Sequence, residues 1–374
     1  MKIKICYVIS SLSNQGPPNV LYNIIRYIDF DKFEVCIITM VPEQKISRID
    51  DFRQLPIKVV QMSPNKCLNP IAMFKILKSV INKLDPDIVH GHCPRSDFLI
   101  PFLPNKYIKA ETIHIYPGLQ QKVLYGKLKG QLVIWLSNFF VRFMDLPIAC
   151  AESVSELYYK RQHFKTLPIP NGSSLPVFVY DRELKIKLRH KFGMKDGVKY
   201  FIFIGRFSQE KNPNMIVRAF KEMNRNDIGV ILLGNGILYE KLKLQESENI
   251  LMPGFTSNVY NYLIASDFYI SASSVEGLAN TVLESMTVGL PMVLSNIPSH
   301  NEILTHVNGT VGYIMNQHSI DDIKDKIIKV LNLDVYNVRK ELQATYLKYY
   351  TADFMSRKYQ QAYVDILRKK NKEN

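Results

Sequence analysis

A chain of 374 residues exceeds the length at which one hydrophobic core keeps growing, so two domains are expected. Hydrophobic residues make up 47% and charged residues 22% of it, a composition that excludes a disordered or fibrous protein. The net charge of +14 indicates an anionic partner, such as nucleic acid, an acidic membrane face or a phosphorylated substrate. The basic residues are spread along the chain without a zinc-finger, RNP or arginine-rich pattern, so nucleic acid is not expected.

The cysteines and the lengths of the apolar segments indicate in which cellular compartment the protein is expected. The five cysteines form no CxxC pair and lie mostly in apolar runs, which predicts reduced thiols in a cytoplasmic protein. The opening segment MKIKICYVIS is interpreted as a first strand and not as a signal peptide. The longest apolar run, 132–144, is shorter than the roughly 20 residues that span a bilayer and contains Arg142. No transmembrane helix is therefore expected.

The first half of the chain alternates short apolar runs with segments of helical period. This pattern is typical of a parallel sheet covered by helices on both faces, and it predicts an α/β domain over residues 1–170. Helices are predicted between the strands, for example at Val20–Ile28 and Ile71–Leu84. The predicted strands are Ile3–Ile9, Phe33–Met40, Ile57–Gln61, Asp87–His90, Ala110–His114 and Pro147–Ala151.

One segment of this half has two interpretations. Residues 123–144, VLYGKLKGQLVIWLSNFFVRFM, combine basic, aromatic and aliphatic side chains. They could form a helix that faces a membrane surface, or a buried helix that leads into the next strand. The sequence leaves both open.

The second half repeats the strand and helix pattern after a segment rich in proline and turn residues, LPIPNGSSLPVFVYD. This segment predicts a hinge near 168–176 and a second α/β domain over 171–351. A last helix, with Thr351 as its N-cap, is expected to pack back onto the first domain over about 352–370. The predicted strands are Tyr200–Ile204, Gly229–Leu233, Asn249–Met252, Phe268–Ser271, Met292–Leu294 and Val311–Ile314.

Ligands of open α/β sheets bind beyond the carboxyl ends of the strands, so two such domains predict a cleft at those ends. After the strand YFIFIG, the loop RFSQEKNP places Arg206 and Lys211 five positions apart. Arginine binds phosphate oxygens bidentately and lysine adds a mobile charge, so the pair suits a diphosphate. The alternative is a solvated loop with two ordinary surface cations.

A second constellation follows the strand DFYISAS. Glu276 ends the loop, and Glu284 lies on the second turn of a helix that is predicted to begin near Leu278. Gly277 permits close approach of a ligand, and the free amides at the helix start suit an anion. Glu284 is placed to accept two hydrogen bonds from a ribose diol. In the alternative interpretation, Glu276 only interacts with the helix dipole and Glu284 is a surface residue.

Further signals follow other strands. The turn GNG, which contains Gly234, and the turn PGF, which ends at Phe255, each come after a strand of the second half. In the first half, His90 and His92 alternate at a strand end. His90 is interpreted as structural, whereas His92 is either structural or directed into the cleft.

At these residues the sequence resembles a known family, the retaining GT-B glycosyltransferases of family 4. The resemblance rests on GRFSQEKN, LLGNGILYEKL, ILMPGF, SDFYISASSVEGLANTVLESMTVGLPMVLSNIP and IPNGSS in the second half. DIVHGH, TIHIYPG and ACAESVSELY of the first half are similar in a looser way. The resemblance implies the GT-B fold of two Rossmann-like doubly wound domains that face each other across a cleft.

Catalytic and binding roles follow from the resemblance. Arg206 and Lys211 would hold the donor diphosphate, and Glu284 would bind the ribose. Glu276 would contact hydroxyls of the transferred sugar, which His114 would face from the other domain. Gly277 and four backbone amides would line the phosphates or the sugar, namely those of Leu278, Ala279, Asn280 and Thr281.

Three further residues complete the expected donor site: Gly234, Phe255 and Gly16. Gly16 lies in the first strand-to-helix loop, where family members commonly carry two adjacent glycines. Here the loop reads SNQGPPNV, and Pro17 and Pro18 lack the backbone N–H groups of an anion nest. The resemblance implies no metal and no cofactor, because cations and helix dipoles take the place of a metal.

The expected activity is transfer of a hexose or hexosamine, with retention of configuration, from a nucleotide-diphosphate sugar, UDP in preference to GDP. The expected acceptor is a hydroxyl of a lipid-linked or polysaccharide precursor of a bacterial surface glycan. The basic charge fits an anionic membrane surface, so the expected location is cytoplasmic and peripheral on the inner membrane face. Two alternatives remain: a sugar-nucleotide epimerase or hydrolase on the same scaffold, and a non-catalytic nucleotide-binding partner.

Overall fold

A computed structural model describes residues 2–44, 46–62 and 69–373, and in it the chain divides into two compact units. The first unit comprises the residues up to Ser174 together with those from Thr351 onward, and the second runs from Leu175 to Tyr350. For comparison, the sequence predicts boundaries at 170/171 and 351/352. Four cysteines are free, and Cys67 lies outside the described residues.

Seven parallel strands form the sheet of the first unit, in the order β3-β2-β1-β4-β5-β6-β7. Their residues are mostly buried and apolar, as in a sheet covered on both faces. The strands are β1 (Ile3–Ile9), β2 (Phe33–Thr39), β3 (Lys58–Gln61), β4 (Ile88–Gly91), β5 (Ile108–Ile113), β6 (Leu146–Ala149) and β7 (Leu167–Pro168).

Helices connect these strands and lie on the faces of the sheet. They are α1 (Gly16–Arg26), α2 (Ile49–Arg53), α3 (Pro70–Leu84), α4 (Pro94–Asp97), α5 (Leu119–Tyr125), α6 (Lys127–Phe140) and α7 (Glu152–Gln162).

The second unit has a six-stranded parallel sheet in the order β10-β9-β8-β11-β12-β13. Its strands are β8 (Lys199–Ile204), β9 (Ile228–Leu233), β10 (Ile250–Gly254), β11 (Phe268–Ser271), β12 (Met292–Ser295) and β13 (Gly312–Met315). Its helices are α8 (Arg182–Lys191), α9 (Pro213–Met223), α10 (Tyr239–Lys243), α11 (Val259–Ala265), α12 (Asn280–Val288), α13 (Pro298–Thr305), α14 (Ile320–Val330) and α15 (Val335–Tyr349).

The last helix, α16 (Ala352–Glu373), belongs to the first unit. Thr351 caps it, because its hydroxyl accepts a hydrogen bond from the Phe354 amide at 3.2 Å. The Tyr363 hydroxyl lies 3.0 Å from that of Tyr7 on β1, within the core that α16 shares with α1. The end of the chain therefore completes the core of the first unit.

The structure corrects several predicted boundaries. Helix α1 begins at Gly16 instead of Val20, because proline is tolerated in a first turn, where its missing N–H has no partner to lose. Strand β5 begins at Ile108, two residues before the predicted start, and its buried Lys109 donates to the Pro101 carbonyl and the Asn105 side chain. The short strand β7 was not predicted.

In the parts of the chain that the structure describes, no helix is both long enough and apolar enough to cross a bilayer.

Candidate active site

The loops that follow β8 and β11 meet at the carboxyl edge of the second sheet. These strands are neighbours although the chain leaves β8 toward β9 and β10 on one side and returns to β11 on the other. Such a reversal of strand order opens a crevice between the two loops, where open α/β sheets bind ligands. The loops are joined directly, because the Ser274 amide donates to the Glu210 carbonyl at 2.7 Å.

Lys211 and Glu276, one from each loop, form an ion pair at this point. Their side chains are 25% and 12% exposed, so the pair is largely withdrawn from solvent. Burial raises the pKa of the Glu276 carboxyl, but Lys211, with smaller contributions from His300 and Ser273, holds that pKa below its ordinary value. Glu276 is therefore ionised at neutral pH, and one lysine serves both the carboxylate and any ligand beside it.

Arg206 lies on the same loop as Lys211 and is more exposed, at 45%. The nearest approach of its guanidinium to a carboxylate is 3.9 Å, to Oε1 of the buried Glu210. A contact of that length leaves most of the guanidinium N–H donors available. The strand-end loop thus presents one loosely held, exposed arginine and one partly buried lysine that is paired with Glu276.

Helix α12 begins beside these cations. Gly277, Leu278 and Ala279 are buried in the turn that precedes it, and no side chain caps the helix. Its first amides point out of the helix and, with the helix dipole, favour an anion there. The Thr281 hydroxyl lies 2.8 Å from the Tyr269 hydroxyl, and Asn280 has a buried side-chain oxygen without a partner among the described residues.

Glu284 lies on the second turn of α12, as the sequence predicts. Removal from solvent raises the pKa of its carboxyl to about 7. Within the described parts of the chain, no group donates a hydrogen bond to this carboxylate. A hydrogen-bond acceptor held without donors is suited to a ligand that brings its own hydroxyl groups.

Gly234 shapes the site through backbone packing. It has φ +139°, and a Cβ atom there would lie 1.9 Å from the Gly205 carbonyl oxygen. The amide of Phe207 donates to Asn235, so the two loops are held together. The GNG turn therefore supports the loop that carries Arg206. Phe255 follows β10 and presents a half-exposed ring.

His300, which the sequence reading missed, is the buried neighbour of this site. Its Nδ1 lies 3.1 Å from both the carbonyl and the hydroxyl oxygen of Ser295, so Nδ1 carries the proton. Burial lowers the pKa of His300 to about 4, which keeps the ring neutral. Strand-end reasoning applied to β12, whose following residues lead into α13, could have found it.

His114, one of the two expected site residues of the first unit, is part of a histidine cluster. His114 follows β5, and its Nε2 lies 3.2 Å from Nδ1 of the buried His92. His90 is enclosed between Tyr363 at 2.8 Å and Thr112 at 2.9 Å, which confirms its structural role. Burial lowers the pKa of His114 to about 4, so the imidazole is neutral at pH 7.

Gly16 is the first residue of α1 and is exposed. It has an ordinary φ, and a Cβ atom there would meet nothing within 4 Å. Pro17 and Pro18 occupy the first turn, so two of the amides that could surround an anion are absent. The backbone at Gly16 does not itself require glycine.

The arrangement after β8 and β11 can bind a diphosphate: two cations, an uncapped helix N-terminus and a carboxylate on the next turn converge there. No group of three or more His, Cys, Asp or Glu side chains in the described parts of the chain is placed to hold a metal ion.

Comparison with known proteins adds sequence and structural relatives. The model "Glycosyl transferases group 1" matches residues 185–348 and "Glycosyl transferase 4-like" matches residues 4–109. The chain is 26% identical to the UDP-Gal:alpha-D-GlcNAc-diphosphoundecaprenol alpha-1,3-galactosyltransferase of Escherichia coli, over 74% of this chain and 75% of that one. It is 23% identical to the Escherichia coli O-antigen biosynthesis glycosyltransferase WclY, over 98% and 99% of the two chains.

A similar fold is found in HepE of Anabaena in complex with UDP-glucose, with a TM-score of 0.78 at 16% identity over 97% of this chain and 100% of that one. WaaG, a glycosyltransferase involved in lipopolysaccharide biosynthesis, superimposes with a TM-score of 0.70 at 14% identity, over 97% and 99% of the two chains. With its two parallel-sheet α/β domains and the two family models that match them, the chain belongs to the GT-B glycosyltransferases of family 4.

Proposed function

We propose that this glycosyltransferase moves a hexose or hexosamine from a UDP-sugar to a hydroxyl of a lipid-linked or polysaccharide precursor, with retention of configuration. The observation that carries the proposal is the partly buried Lys211–Glu276 ion pair between the loops after β8 and β11, beside Arg206 and the start of α12.

The diphosphate is assigned to Arg206, Lys211 and the amides of Leu278, Ala279, Asn280 and Thr281. The leaving group of the reaction is a diphosphate whose negative charge grows as the bond to the sugar breaks. Fixed cations and N–H groups aimed at that charge stabilise the transition state more than the ground state. We propose no metal for this step, because these groups supply the positive charge.

The ribose is assigned to Glu284 and the transferred sugar to Glu276. A ribose diol would donate two hydrogen bonds to the Glu284 carboxylate, whose pKa is raised to about 7 by burial. Glu276 is ionised and can accept from sugar hydroxyls while Lys211 holds its orientation. Phe255, Gly234 and Gly16 complete the proposed donor site, Phe255 through its exposed ring and Gly234 by supporting the Arg206 loop.

The choice of UDP is supported by relatives. UDP-Gal appears in the name of the Escherichia coli galactosyltransferase, and HepE was solved with UDP-glucose. The same galactosyltransferase acts on a diphosphoundecaprenol-linked sugar by its name, which supports a lipid-linked acceptor. Such an acceptor places the reaction at an anionic membrane face, and the four free cysteines suit the reducing cytoplasmic side.

The configuration at C1 is retained if the acceptor oxygen enters and the diphosphate departs on the same face of the sugar. The bond from C1 to the diphosphate oxygen breaks, and a bond from C1 to the acceptor oxygen forms on the same side. The acceptor proton passes to the departing phosphate oxygen, so the products are the glycoside and UDP. His114, neutral at pH 7, is proposed to hold a sugar hydroxyl in this step.

The test is transfer from a panel of UDP- and GDP-sugars to a synthetic polyprenyl-diphosphate sugar, followed by NMR of the new anomeric centre. An axial donor should yield an axial product. Glu276→Ala, still folded, should lose most of the activity, whereas Lys195→Ala, which removes an exposed ion pair with Glu248, should not.

Incubating the protein with the donor alone distinguishes the proposed transferase from an epimerase or a hydrolase. Isomerised donor would favour an epimerase, and rapid nucleotide release would favour a hydrolase. UDP binding measured by calorimetry without turnover of any donor and acceptor pair would favour a non-catalytic partner. An inverted product would contradict the proposed mechanism.

A further inference from the structure

Helix α6 carries its apolar residues on the outside. Leu128, Leu132, Trp135 and Phe139 recur at spacings of four, three and four, which places them on one face of the helix. All four are exposed, Leu128 at 89% and Trp135 at 58%. Phe143, just beyond the helix, is also exposed, and its ring lies 5.1 Å from that of Phe139. We call these five residues the α6 stripe.

The opposite side of α6 is packed on the unit. A Cβ atom at Gly130 would lie 2.6 Å from the backbone of Lys122 on α5, so the two helices are in close contact. The Phe140 ring packs against the rings of Phe98 and Phe102 at 5.7 and 5.6 Å. The helix therefore contacts the unit through the side that carries Gly130 and Phe140, and the stripe lies on its exposed side. Ordinary surface helices turn such a stripe inward.

Charge around the stripe is of one sign. Between Glu111 and Asp145 the sequence contains no acidic residue, but it contains Lys122, Lys127, Lys129 and Arg142. The four side chains are exposed, and the three lysines form no ion pair with any described residue. A surface that binds another protein ordinarily carries charges of both signs. A bilayer with anionic headgroups, by contrast, offers negative charge beside hydrocarbon, which matches this surface.

The aromatic side chains of the α6 stripe also favour a membrane surface. Trp135 stacks on Phe139 with ring centroids 5.5 Å apart, and Phe143 continues the aromatic surface. Tryptophan, with an apolar ring and one N–H donor, is enriched at the boundary between hydrocarbon and water. A contiguous exposed apolar patch of this kind marks an interaction site.

We infer that the α6 stripe and its four cations form a docking surface for an anionic lipid bilayer, with α6 lying in the plane of the headgroups. The inference names the membrane-contacting surface of the proposed enzyme and rests on that proposal for its biological setting. Its physical content, binding of the protein to lipid, does not depend on donor or acceptor.

Trp135 is the single tryptophan of the chain, so its fluorescence reports on this surface alone. On adding vesicles of phosphatidylglycerol and phosphatidylcholine to the full chain, we expect a blue shift of the emission and co-flotation of the protein. Vesicles of phosphatidylcholine alone should bind at least tenfold more weakly, and high salt should reverse most of the binding. Absence of both signals at low salt would overturn the inference.

Variants test the residues, with flotation as the measurement. Leu132→Ser/Phe139→Ser and Lys127→Glu/Lys129→Glu should each weaken binding at least tenfold. Tyr336→Ser/Leu347→Ser removes two exposed apolar side chains from α15 and should change nothing. Thermal melting checks that all variants fold. Full binding by both stripe variants would overturn the inference, as would a concentration-dependent dimer without lipid that Leu132→Ser/Phe139→Ser abolishes.

Activity separates this inference from the proposed function. The stripe variants should transfer sugar to a water-soluble acceptor at the unaltered rate and lose rate only with a lipid-linked acceptor in anionic vesicles. If the unaltered protein binds vesicles but transfers no sugar to either acceptor, the proposed function fails and the docking surface stands. If it transfers to both acceptors equally and does not float, the docking surface fails and the proposed function stands.

Discussion

The two units have parallel sheets in which strand order reverses at one point, but an ion pair of the second unit and two titratable groups of the first unit that follow these strands differ in charge. At the reversal between β8 and β11, Lys211 is paired with an ionised Glu276. In the first unit, after β4 and β5, burial lowers the pKa of His114 to about 4 and raises that of Asp97 to about 8. Both of these groups are therefore mainly uncharged at pH 7.

The difference shows that topology selects the place of a site and side-chain chemistry selects its ligand. A charged site whose donors are already oriented suits a diphosphate. A neutral site of imidazoles and protonated carboxyls offers hydrogen bonds without strong fields, which suits the hydroxyl groups of a sugar. The following predictions test whether the charged unit alone carries anion binding.

The largest effect is expected for Lys211→Ala. Removing one preorganised donor to a developing charge typically costs on the order of 100- to 1000-fold in kcat. Loss of the lysine also leaves the Glu276 carboxylate without its ion-pair partner, which favours its protonation. Steady-state kinetics with the preferred UDP-sugar would measure this, with Lys195→Ala as the control. A loss below about tenfold would remove Lys211 from the proposed diphosphate site.

Next comes a pair of glycines that the sequence assigns to the same donor site. Gly234→Ala should destabilise the second unit by about 2–4 kcal/mol, because φ is positive there and the new methyl group would overlap the Gly205 carbonyl. Gly16→Ala, at an exposed position with ordinary φ, should be within about 0.5 kcal/mol of neutral. Denaturant unfolding of both variants measures the contrast, and equal effects would refute it.

A smaller effect is expected for His114, an uncharged group of the first unit. His114→Ala should lower kcat about tenfold through one lost hydrogen bond to the sugar, with the Kd of UDP unchanged. Since the pKa of His114 is about 4, the residual difference between variant and unaltered enzyme should not vary between pH 6 and 8. A change in UDP affinity measured by calorimetry would contradict the separation of roles between the units.

The smallest effect, and the one with a pH signature, concerns Glu284. Its pKa is raised in the folded protein to about 7, so folding favours the protonated carboxyl, and stability falls as pH rises from about 4.5 through 7. Glu284→Gln should therefore raise stability at pH 8 by about 1 kcal/mol, or roughly 2–4 °C in Tm, and by less at pH 5. Melting curves at the two pH values measure the difference.

Donor binding should release protons from the same group, because ribose hydroxyls that donate to the carboxylate lower its pKa. Calorimetry of UDP-sugar binding at pH 7, in buffers of different ionisation enthalpy, should show this release in the unaltered protein and not in Glu284→Gln. Proton uptake would contradict the ribose assignment.

Much of the fold could be predicted from the sequence because it depends on local patterns. Strands Ile3–Ile9 and Phe268–Ser271 are found with the predicted bounds, since each is a short apolar run between turn residues. Thr351 begins the last helix as predicted. The start of β5 was placed too late, because the charged Lys109 interrupts the apolar run, and only the structure shows that its ammonium group is satisfied by the Pro101 carbonyl and the Asn105 side chain.

The sequence by itself determined the parallel α/β class and the candidate residues that follow β8 and β11, because strand periodicity and strand-end position are local properties. Only the tertiary structure decided how these residues interact. The pairing of Lys211 with Glu276 joins loops 65 positions apart, and the burial that raises the pKa of Glu284 exists only in the folded chain. Likewise, residues 123–144 allowed a buried or a membrane-facing helix, and the packing of Gly130 and Phe140 turned its apolar stripe outward.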